Sequence, residues 1–374
     1  VNIKSLKMSK FSQDSIQHDH RWMQRAIELA RLGCYSTKPN PNVGCVIVKD
    51  GQSVGEGFHP QAGQPHAEVF ALRQAGKLAQ GATAYVTLEP CAHYGRTPPC
   101  AKGLVEAGIA KVIVACSDPN PLVAGKGVQI LKEAGIHVEV GLCETEARQL
   151  NLGFLKAMST GMPYVRLKVA SSLDGRTAMA SGESKWITSA LARQDVQHWR
   201  AISSVVITGI ETVLADDCQL NVRQLDGVAD LSTVVQPKRL VLDRQGRLPL
   251  HATILQQPET VMVMGPFRQE LADLGVLQFS IQSLIDLLHT LATQHQIYDV
   301  MVEAGATLST AFLQQHLVDE MISYVAPTFL GQTARAMFNA DFTCMAEQLR
   351  FKLIDVTQLG NDVRLRLIPF QETI

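Results

Sequence analysis

Pro65-His66-Ala67-Glu68, Glu89-Pro90-Cys91 and Pro98-Pro99-Cys100 are the three short pieces that decide how this chain is read. One imidazole and two thiols are donors that zinc takes. A three-donor set leaves a fourth position for water, the arrangement of a catalytic rather than a structural zinc site. Glu68, two residues beyond the histidine, is placed to move protons without binding metal. Residues two apart in mid-helix point to nearly opposite sides. Pro65 resolves this by predicting that the pair occupies a first helical turn, where both side chains reach a site at the helix end. Pro90 before Cys91 and Pro99 before Cys100 repeat the device. The partial positive charge of helix N-termini favours thiolate there.

Outward from these pieces, short strands and helices alternate. A helix is expected from about His20 to Gly33, with Trp22, Met23, Ala26, Ile27 and Ala30 on one face. Val43–Val48 and Ser53–Phe58 read as a hairpin around Asp50-Gly51, a strong turn signal. Helices follow at 65–75, 98–107 and 127–134, and strands at 83–88, 111–116 and 137–140. This alternation predicts an α/β sandwich with helices on both faces of a sheet. Two short amphipathic stretches then lead to Thr160-Gly161-Met162-Pro163, and a new strand begins at Tyr164. The second half alternates again, with strands near 165–170, 205–208, 239–242, 261–264, 299–302, 320–326 and 363–368, and helices at 189–201, 282–293 and 307–316. The division expected is a flexible tail over 1–17, a first domain over 18–150 and a second over 163–374.

A length of 374 residues suits two domains. A hydrophobic content of 46% with 18% charged residues describes a folded chain rather than a disordered one. A net charge of −1 argues against a general nucleic-acid or anionic-membrane surface. No apolar run approaches the roughly 18 residues of a membrane span. Eight cysteines in so large a chain do not make a disulfide scaffold; most read as buried thiols, and the reducing cytoplasm is the expected compartment.

The H-x-E…P-C arrangement is that of zinc deaminases acting on nucleobases. The spacing departs from the commoner C-x-x-C form, since Tyr94 stands where a second cysteine would be and Cys100 comes later. In full, Thr87-Leu-Glu-Pro-Cys91-Ala-His93-Tyr-Gly95-Arg96-Thr-Pro-Pro-Cys100 resembles the deaminase half of the bifunctional riboflavin-biosynthesis deaminase–reductase family. Pro39-Asn40-Pro41-Asn42-Val43-Gly44, Gly55-Glu-Gly57-Phe-His59 and Ser117-Asp118-Pro-Asn120-Pro with Gly125-Lys126-Gly127 carry the same resemblance. It implies a cytidine-deaminase-like α/β/α sandwich and Zn2+ held by His66, Cys91 and Cys100. Glu68 would be the proton carrier, on a 2,5-diaminopyrimidinone bearing a phosphoribosylamino group that loses ammonia from C2. Asn42 is implied as a substrate contact that orients the base through its amide, with His59, Asn120 and Lys126 as looser candidates for ribose-phosphate or ring contacts; each of these also reads as an ordinary turn or surface residue. Phe70 stands where another histidine was expected, at a position that is not a ligand.

In the second half, Lys168 lies inside the apolar run Tyr164-Val-Arg-Leu-Lys-Val-Ala170, where an unexplained buried lysine is rare. It is followed by Ser171-Ser-Leu-Asp174-Gly175-Arg176 and by Ser181-Gly-Glu-Ser184-Lys-Trp186-Ile-Thr188-Ser189. Each piece has a plain reading: an edge-strand lysine, a hairpin, a helix cap at Ser189. Val205-Val-Ile-Thr208-Gly209 reads as a strand into a glycine turn, and Met301-Val-Glu303-Ala-Gly305-Ala306 as a strand end before a helix whose amides suit a phosphate. No G-x-G-x-x-G fingerprint supports a standard Rossmann domain. Together these strings resemble the reductase half of the same family, with a dihydrofolate-reductase-like α/β fold. The resemblance implies NADPH at Ala170, Trp186, Thr212, Asp216 and the turn-helix Gly305, Ala306, Thr307, Leu308, Ser309, Thr310 and Ala311. It implies a phosphoribosyl substrate at Ser184, Arg200, Leu220, Arg223 and Glu303, and Lys168 at the reaction centre. Cys218 stands where that family usually has proline, which is expected to loosen the loop carrying Leu220 and Arg223.

Two other readings compete. A nucleic-acid deaminase shares the zinc chemistry but needs a basic groove and leaves the second half unexplained. A zinc-stabilised binding module needs a fourth ligand, for which His59 and His93 are the nearby candidates, and has no use for Glu68. A small-molecule enzyme without nucleic-acid or membrane partners, assembled as a dimer or tetramer, is the expectation carried forward.

Overall fold

The computed structural model describes residues 3–92, 98–121, 123–281 and 283–370, with side chains from 17 onward. The chain forms two compact units, Val1–Thr160 and Gly161–Ile374.

In the first unit α1 (Ile3–Arg31) precedes the hairpin β1 (Gly44–Lys49) and β2 (Gln52–Phe58). Then come α2 (Ala67–Ala75), β3 (Thr83–Val86), α3 (Cys100–Glu106), β4 (Lys111–Val114), α4 (Lys126–Glu133), β5 (His137–Val140), α5 (Glu144–Gln149) and α6 (Leu152–Thr160). The stretch read as a tail is continuous with the first helix, which begins at Ile3 rather than near His20. Residues 3–31 contain no glycine or proline to break it, and their polar N-terminal part carries no apolar stripe to announce it. The hairpin turns at Asp50 (φ 50°) and Gly51 (φ 76°), both left-handed as a two-residue type I′ turn demands. The sheet runs β2-β1-β3-β4-β5, antiparallel across β2-β1-β3 and parallel across β3-β4-β5. Its two faces are legible in one strand. Cys45 and Ile47 pack with Ala67 and Ala71 of α2, Leu104 of α3 and Leu131 of α4. Val46 and Val48 pack with Trp22, Met23, Ala26 and Ile27 of α1. The result is the α/β/α sandwich that the alternation predicted.

The second unit contains, in order, β6 (Tyr164–Ser172), β7 (Arg176–Ala178), α7 (Ala190–Ile202), β8 (Val205–Gly209), α8 (Ile210–Asp216), β9 (Lys238–Leu242) and β10 (Val261–Met264). It continues through α9 (Gln269–Asp273), β11 (Leu277–Phe279), α10 (Leu284–His295), β12 (Asp299–Glu303), α11 (Ala306–Gln314), β13 (Glu320–Ala326), β14 (Arg335–Ala336), β15 (Phe351–Leu359) and β16 (Asp362–Pro369). The main sheet is ordered β11-β10-β9-β8-β12-β6-β13-β16-β15, and it is parallel from β11 to β13. Parallel strands are covered on both faces: Val300 and Val302 pack into one core with Leu287 and Phe312, and Met301 into the other with Val196 and Trp199. Residues 210–216, read as a glycine turn, are helical, and β11 and β15 were not anticipated. In β15, Leu353, Ile354 and Val356 are exposed, so its apolar residues do not follow a two-residue period. The helix expected from Gln282 begins at Leu284, where Ser283 accepts from the Asp286 N–H; Gln282 itself lies outside the described residues. No helix among the described residues is long and apolar enough to cross a membrane.

Candidate active sites

In the first unit the prolines act differently from the simple expectation. α2 begins at Ala67, with His66 as its extended N-cap residue and Pro65 one position earlier. Extended His66 turns its imidazole toward the site while Glu68 enters from the first turn. Cys100 opens α3 behind Pro99, whereas Cys91 sits in the loop after β3 with no helix of its own. The neighbouring helix serves it instead: the Cys100 N–H donates to Cys91 Sγ at 3.3 Å. Both thiols are free.

The three donor atoms lie within 4.8 Å of one another. His66 Nδ1 is 3.6 Å from Cys91 Sγ and 3.3 Å from Cys100 Sγ. Zn–S and Zn–N bonds at a tetrahedral angle put nitrogen and sulfur about 3.5 Å apart, so the donors fit one shared zinc. A hydrogen bond from Cys100, against burial and with help from His66, brings the Cys91 thiol down to about 4, and Cys91 in turn pushes Cys100 up. Glu68 is buried with Oε2 lacking any hydrogen-bond partner among the described residues, and burial raises its pKa. An orphaned carboxylate oxygen beside three convergent donors suits a proton carrier whose partner is a ligand.

His59 is buried against His66, ring centroids 5.3 Å apart. Its Nδ1–H donates to Pro65 O at 3.1 Å, and Nε2, 3.0 Å from the Asn40 amide, accepts. Pro65 O can only accept, which sets this tautomer, and burial lowers the ring's pKa. Both nitrogens are engaged within the protein, and the ring packs edge-on against His66. Asn42 donates from Nδ2 to Leu150 O and accepts at Oδ1 from Thr37, while its backbone is interlocked with Asn151. Lys126 Nζ donates to Pro121 O. His93 to Thr97, including the alternative ligand His93, lie outside the described residues.

Sequence reasoning assigned no role to Glu89, yet it ties this site together. Oε1 accepts from the N–H groups of Gly127 (3.0 Å) and Val128 (3.2 Å), and Oε2 from Gly125 (3.1 Å) and Asp118 (3.4 Å). The start of α4 is thereby pinned under the Cys91 loop. A Cβ at Gly127 would stand 2.0 Å from Pro90 O, so only glycine permits this approach. The quoted Gly125-Lys126-Gly127 string held the signal, but not its target.

In the second unit the ends of the parallel strands open on a cavity of about 1310 Å³. That exceeds the roughly 300–1,000 Å³ of a pocket for one drug-sized ligand and gives room for two reactants. Its centre is an ionic triad. Glu303 accepts from Arg200 Nε (2.6 Å) and Nη2 (3.0 Å), and Lys168 Nζ lies 3.6 Å away. Burial alone would raise Glu303, but Arg200 and then Lys168 override it and hold the carboxyl at about 2. Burial lowers Lys168, with Glu303 opposing. Ala170, Ser184 and Trp186 line one wall, the last 69% exposed with the Arg193 guanidinium 4.2 Å from its ring centroid. Thr212 and Asp216 come from α8, and Leu220 and Arg223 from the loop beyond it.

Gly305, Ala306, Thr307, Leu308 and Ala311 line the cavity, but Ser309 and Thr310 do not. Both are buried in α11, where Ser309 Oγ donates to Ala304 O and Thr310 Oγ1 accepts from Asn339 N–H. A run of seven consecutive positions cannot share one helix face. The structure adds residues that sequence reasoning missed. Arg244 and Arg247 line the cavity from the loop after β9. Arg247 pairs with Glu211, and Arg244 has no ion pair among the described residues. Asp243 turns inward instead, fully buried and accepting from Leu248 N–H at 2.8 Å.

A three-donor metal cluster with a buried carboxylate in the first unit, and a strand-end cleft for two ligands in the second, define a zinc-dependent nucleobase deaminase joined to a dinucleotide-dependent reductase. Residues 16–116 match the cytidine and deoxycytidylate deaminase zinc-binding region, and residues 163–365 match the RibD C-terminal domain. The riboflavin biosynthesis protein RibD of Haemophilus influenzae is 49% identical over 369 residues, covering 96% of this chain and 98% of that protein. A structure of Acinetobacter baumannii RibD superposes with a TM-score of 0.94 at 77% identity, covering 95% of this chain and all (100%) of that one. The Thermotoga maritima diaminohydroxyphosphoribosylaminopyrimidine deaminase/5-amino-6-(5-phosphoribosylamino)uracil reductase reaches 0.85 at 34% identity, with coverages of 95% and 100%. The chain belongs to the RibD family of bifunctional riboflavin-biosynthesis enzymes, a Zn2+ deaminase and an NADPH reductase in one polypeptide acting on a small molecule.

Proposed function

We propose that the first unit removes ammonia from C2 of 2,5-diamino-6-(5-phosphoribosylamino)pyrimidin-4(3H)-one and that the second reduces the ribosyl group of the resulting uracil to ribityl. The observation that carries the first step is the buried, unpartnered Oε2 of Glu68 beside His66, Cys91 and Cys100. When bound there, zinc supplies a Lewis acid that lowers the pKa of water towards about 7. Glu68 takes the proton that water gives up and returns it to the departing amino nitrogen. Asn42 orients the ring, and His59 keeps His66 in place.

In the second unit NADPH supplies the hydride, and the protein supplies geometry and charge. The hydride goes to the sugar C1′ of the ring-opened, imine-like form. Lys168 serves the reaction centre, where Arg200 and Glu303 fix its position. Ser184, Leu220 and Arg223 hold the phosphoribosyl group, for which a guanidinium fork is suited. Ala170, Trp186, Thr212, Asp216 and the start of α11 hold the dinucleotide. Arg244, after a parallel strand next to the one feeding α8, stands where an arginine reads the 2′-phosphate of NADPH. Asp243, the acid at the end of that strand, turns inward and is buried. The enzyme works in the cytoplasm as a dimer or tetramer.

Turnover of the diaminopyrimidinone phosphate with and without NADPH tests this directly. Ammonia is expected in both samples and NADPH oxidation only in the complete one. Ammonia that appeared only with NADPH, or in neither, would overturn the assignment of steps.

A further inference from the structure

The segment Cys218–Arg223, which carries Leu220 and Arg223 into the cavity, belongs to no helix or strand. Cys218 in place of the usual proline makes a loose segment the natural expectation. The hydrogen bonds say otherwise. Gln236 grips Val222 at two points: its Oε1 accepts from the Val222 N–H at 2.8 Å, and its Nε2 donates to Val222 O at 3.0 Å. A primary amide used this way presents the donor and acceptor that a paired β-strand would offer. One residue on, Gln197 Oε1 accepts from the Arg223 N–H at 3.0 Å, and one residue before, Arg200 Nη1 donates to Asn221 O at 3.3 Å. Three consecutive residues therefore have backbone groups bound by side chains, while residues 218–224 make no backbone–backbone hydrogen bond among the described residues. Val222 is buried beneath the segment, and Leu220 holds a left-handed φ of 56° that a non-glycine residue adopts only when its surroundings impose it. Gln197 and Arg200 are three apart on α7, so one helix face sets both the clamp and the Glu303 ion pair.

We infer that Gln236 and Gln197 are positioning residues for phosphoribosyl recognition, locking the Leu220–Arg223 segment into its binding shape before the substrate arrives. This rests on the proposal that Arg223 and Leu220 hold that substrate. A recognition segment ordered in advance loses less freedom on binding, and its loss weakens substrate capture without altering the cofactor's own contacts. The experiment uses the full chain and supplies 5-amino-6-(5-phosphoribosylamino)uracil as substrate. Gln236→Ala and Gln197→Ala are compared with Arg223→Ala for KM, kcat and NADPH Kd by fluorescence titration.

The expected result is a KM raised roughly 10- to 100-fold in the glutamine variants, with kcat and NADPH Kd little changed. Gln236→Glu, which keeps the acceptor for the Val222 N–H but loses the donor, falls between. An Arg223→Ala effect on KM with none from Gln236→Ala overturns the clamp and leaves the site reading standing. No effect from Arg223→Ala overturns the site reading, and the clamp's role with it. A Gln236→Glu variant that loses NADPH binding and substrate binding together shows general scaffolding and also overturns the inference.

Discussion

The two active sites are assembled in opposite ways. In the first unit all three donors and the proton carrier come from residues 66–100, delivered by two helix starts and one loop, and they converge within a few ångströms. In the second, residues from 168 to 311 meet across strand ends, and the charges of Lys168, Arg200 and Glu303 neutralise one another rather than a metal. A site made from neighbouring chain segments can be small and dry. A site that must admit a dinucleotide beside a sugar phosphate needs an open sheet edge, where parallel strands deliver side chains from distant positions. The first is braced by backbone amides, Cys100 N–H on Cys91 and Gly127 N–H on Glu89; in the second, side chains such as Gln236 and Arg200 take over backbone hydrogen bonds.

If the contrast is right, damage to one site leaves the other working. Glu68→Gln should cut ammonia release by about 10²–10⁴-fold while metal analysis still finds zinc and NADPH oxidation on supplied uracil substrate continues. Full deamination by a zinc-loaded variant would break the proton-carrier role.

Glu303→Gln leaves Arg200 and Lys168 as buried cations without their counter-charge, which costs about 3–5 kcal/mol. Urea unfolding of the second unit should register it, together with loss of NADPH oxidation. The same carboxylate carries a pH signature. Its folded pKa of about 2 lies below the ordinary carboxylate value, so its stabilisation is complete above about pH 4.5 and is lost as pH falls through 2. Acid titration of the variant should lack that component.

Gly127→Ala pushes a methyl towards Pro90 O, and the Cys91 loop must move. Zinc affinity should fall roughly 10- to 100-fold, as disturbed support around metal ligands commonly produces, and competition with a chelator measures it. Arg244→Ala should weaken NADPH binding roughly tenfold and leave NADH unchanged. Equal losses for both cofactors would remove Arg244 as the reader of the 2′-phosphate.

Local signals served the first unit well. Asp50-Gly51 announced its own turn, the α1 face could be counted off by periodicity, and prolines marked helix starts at His66 and Cys100, though not at Cys91. What the order of residues could not show was non-local. Pro65 O and the Asn40 amide engage both ring nitrogens of His59. Glu89 gained meaning only from amides 29 to 39 residues away. Ser309 and Thr310 are buried in α11, whereas their neighbours Leu308 and Ala311 line the cavity, a difference that follows the helix and not the chain order.

By itself, the order of residues pointed to the first chemistry, since an imidazole, two thiols and a nearby carboxylate have few other uses at that spacing, whereas the second was legible only through resemblance to a family. It also determined the α/β class, because short apolar runs alternating with amphipathic ones bury well only as covered sheets. Tertiary structure alone decided which side chains still had an unspent hydrogen-bonding atom once folding was complete. That selection depends on partners brought close through space, and such partners leave no mark in the spacing of the chain.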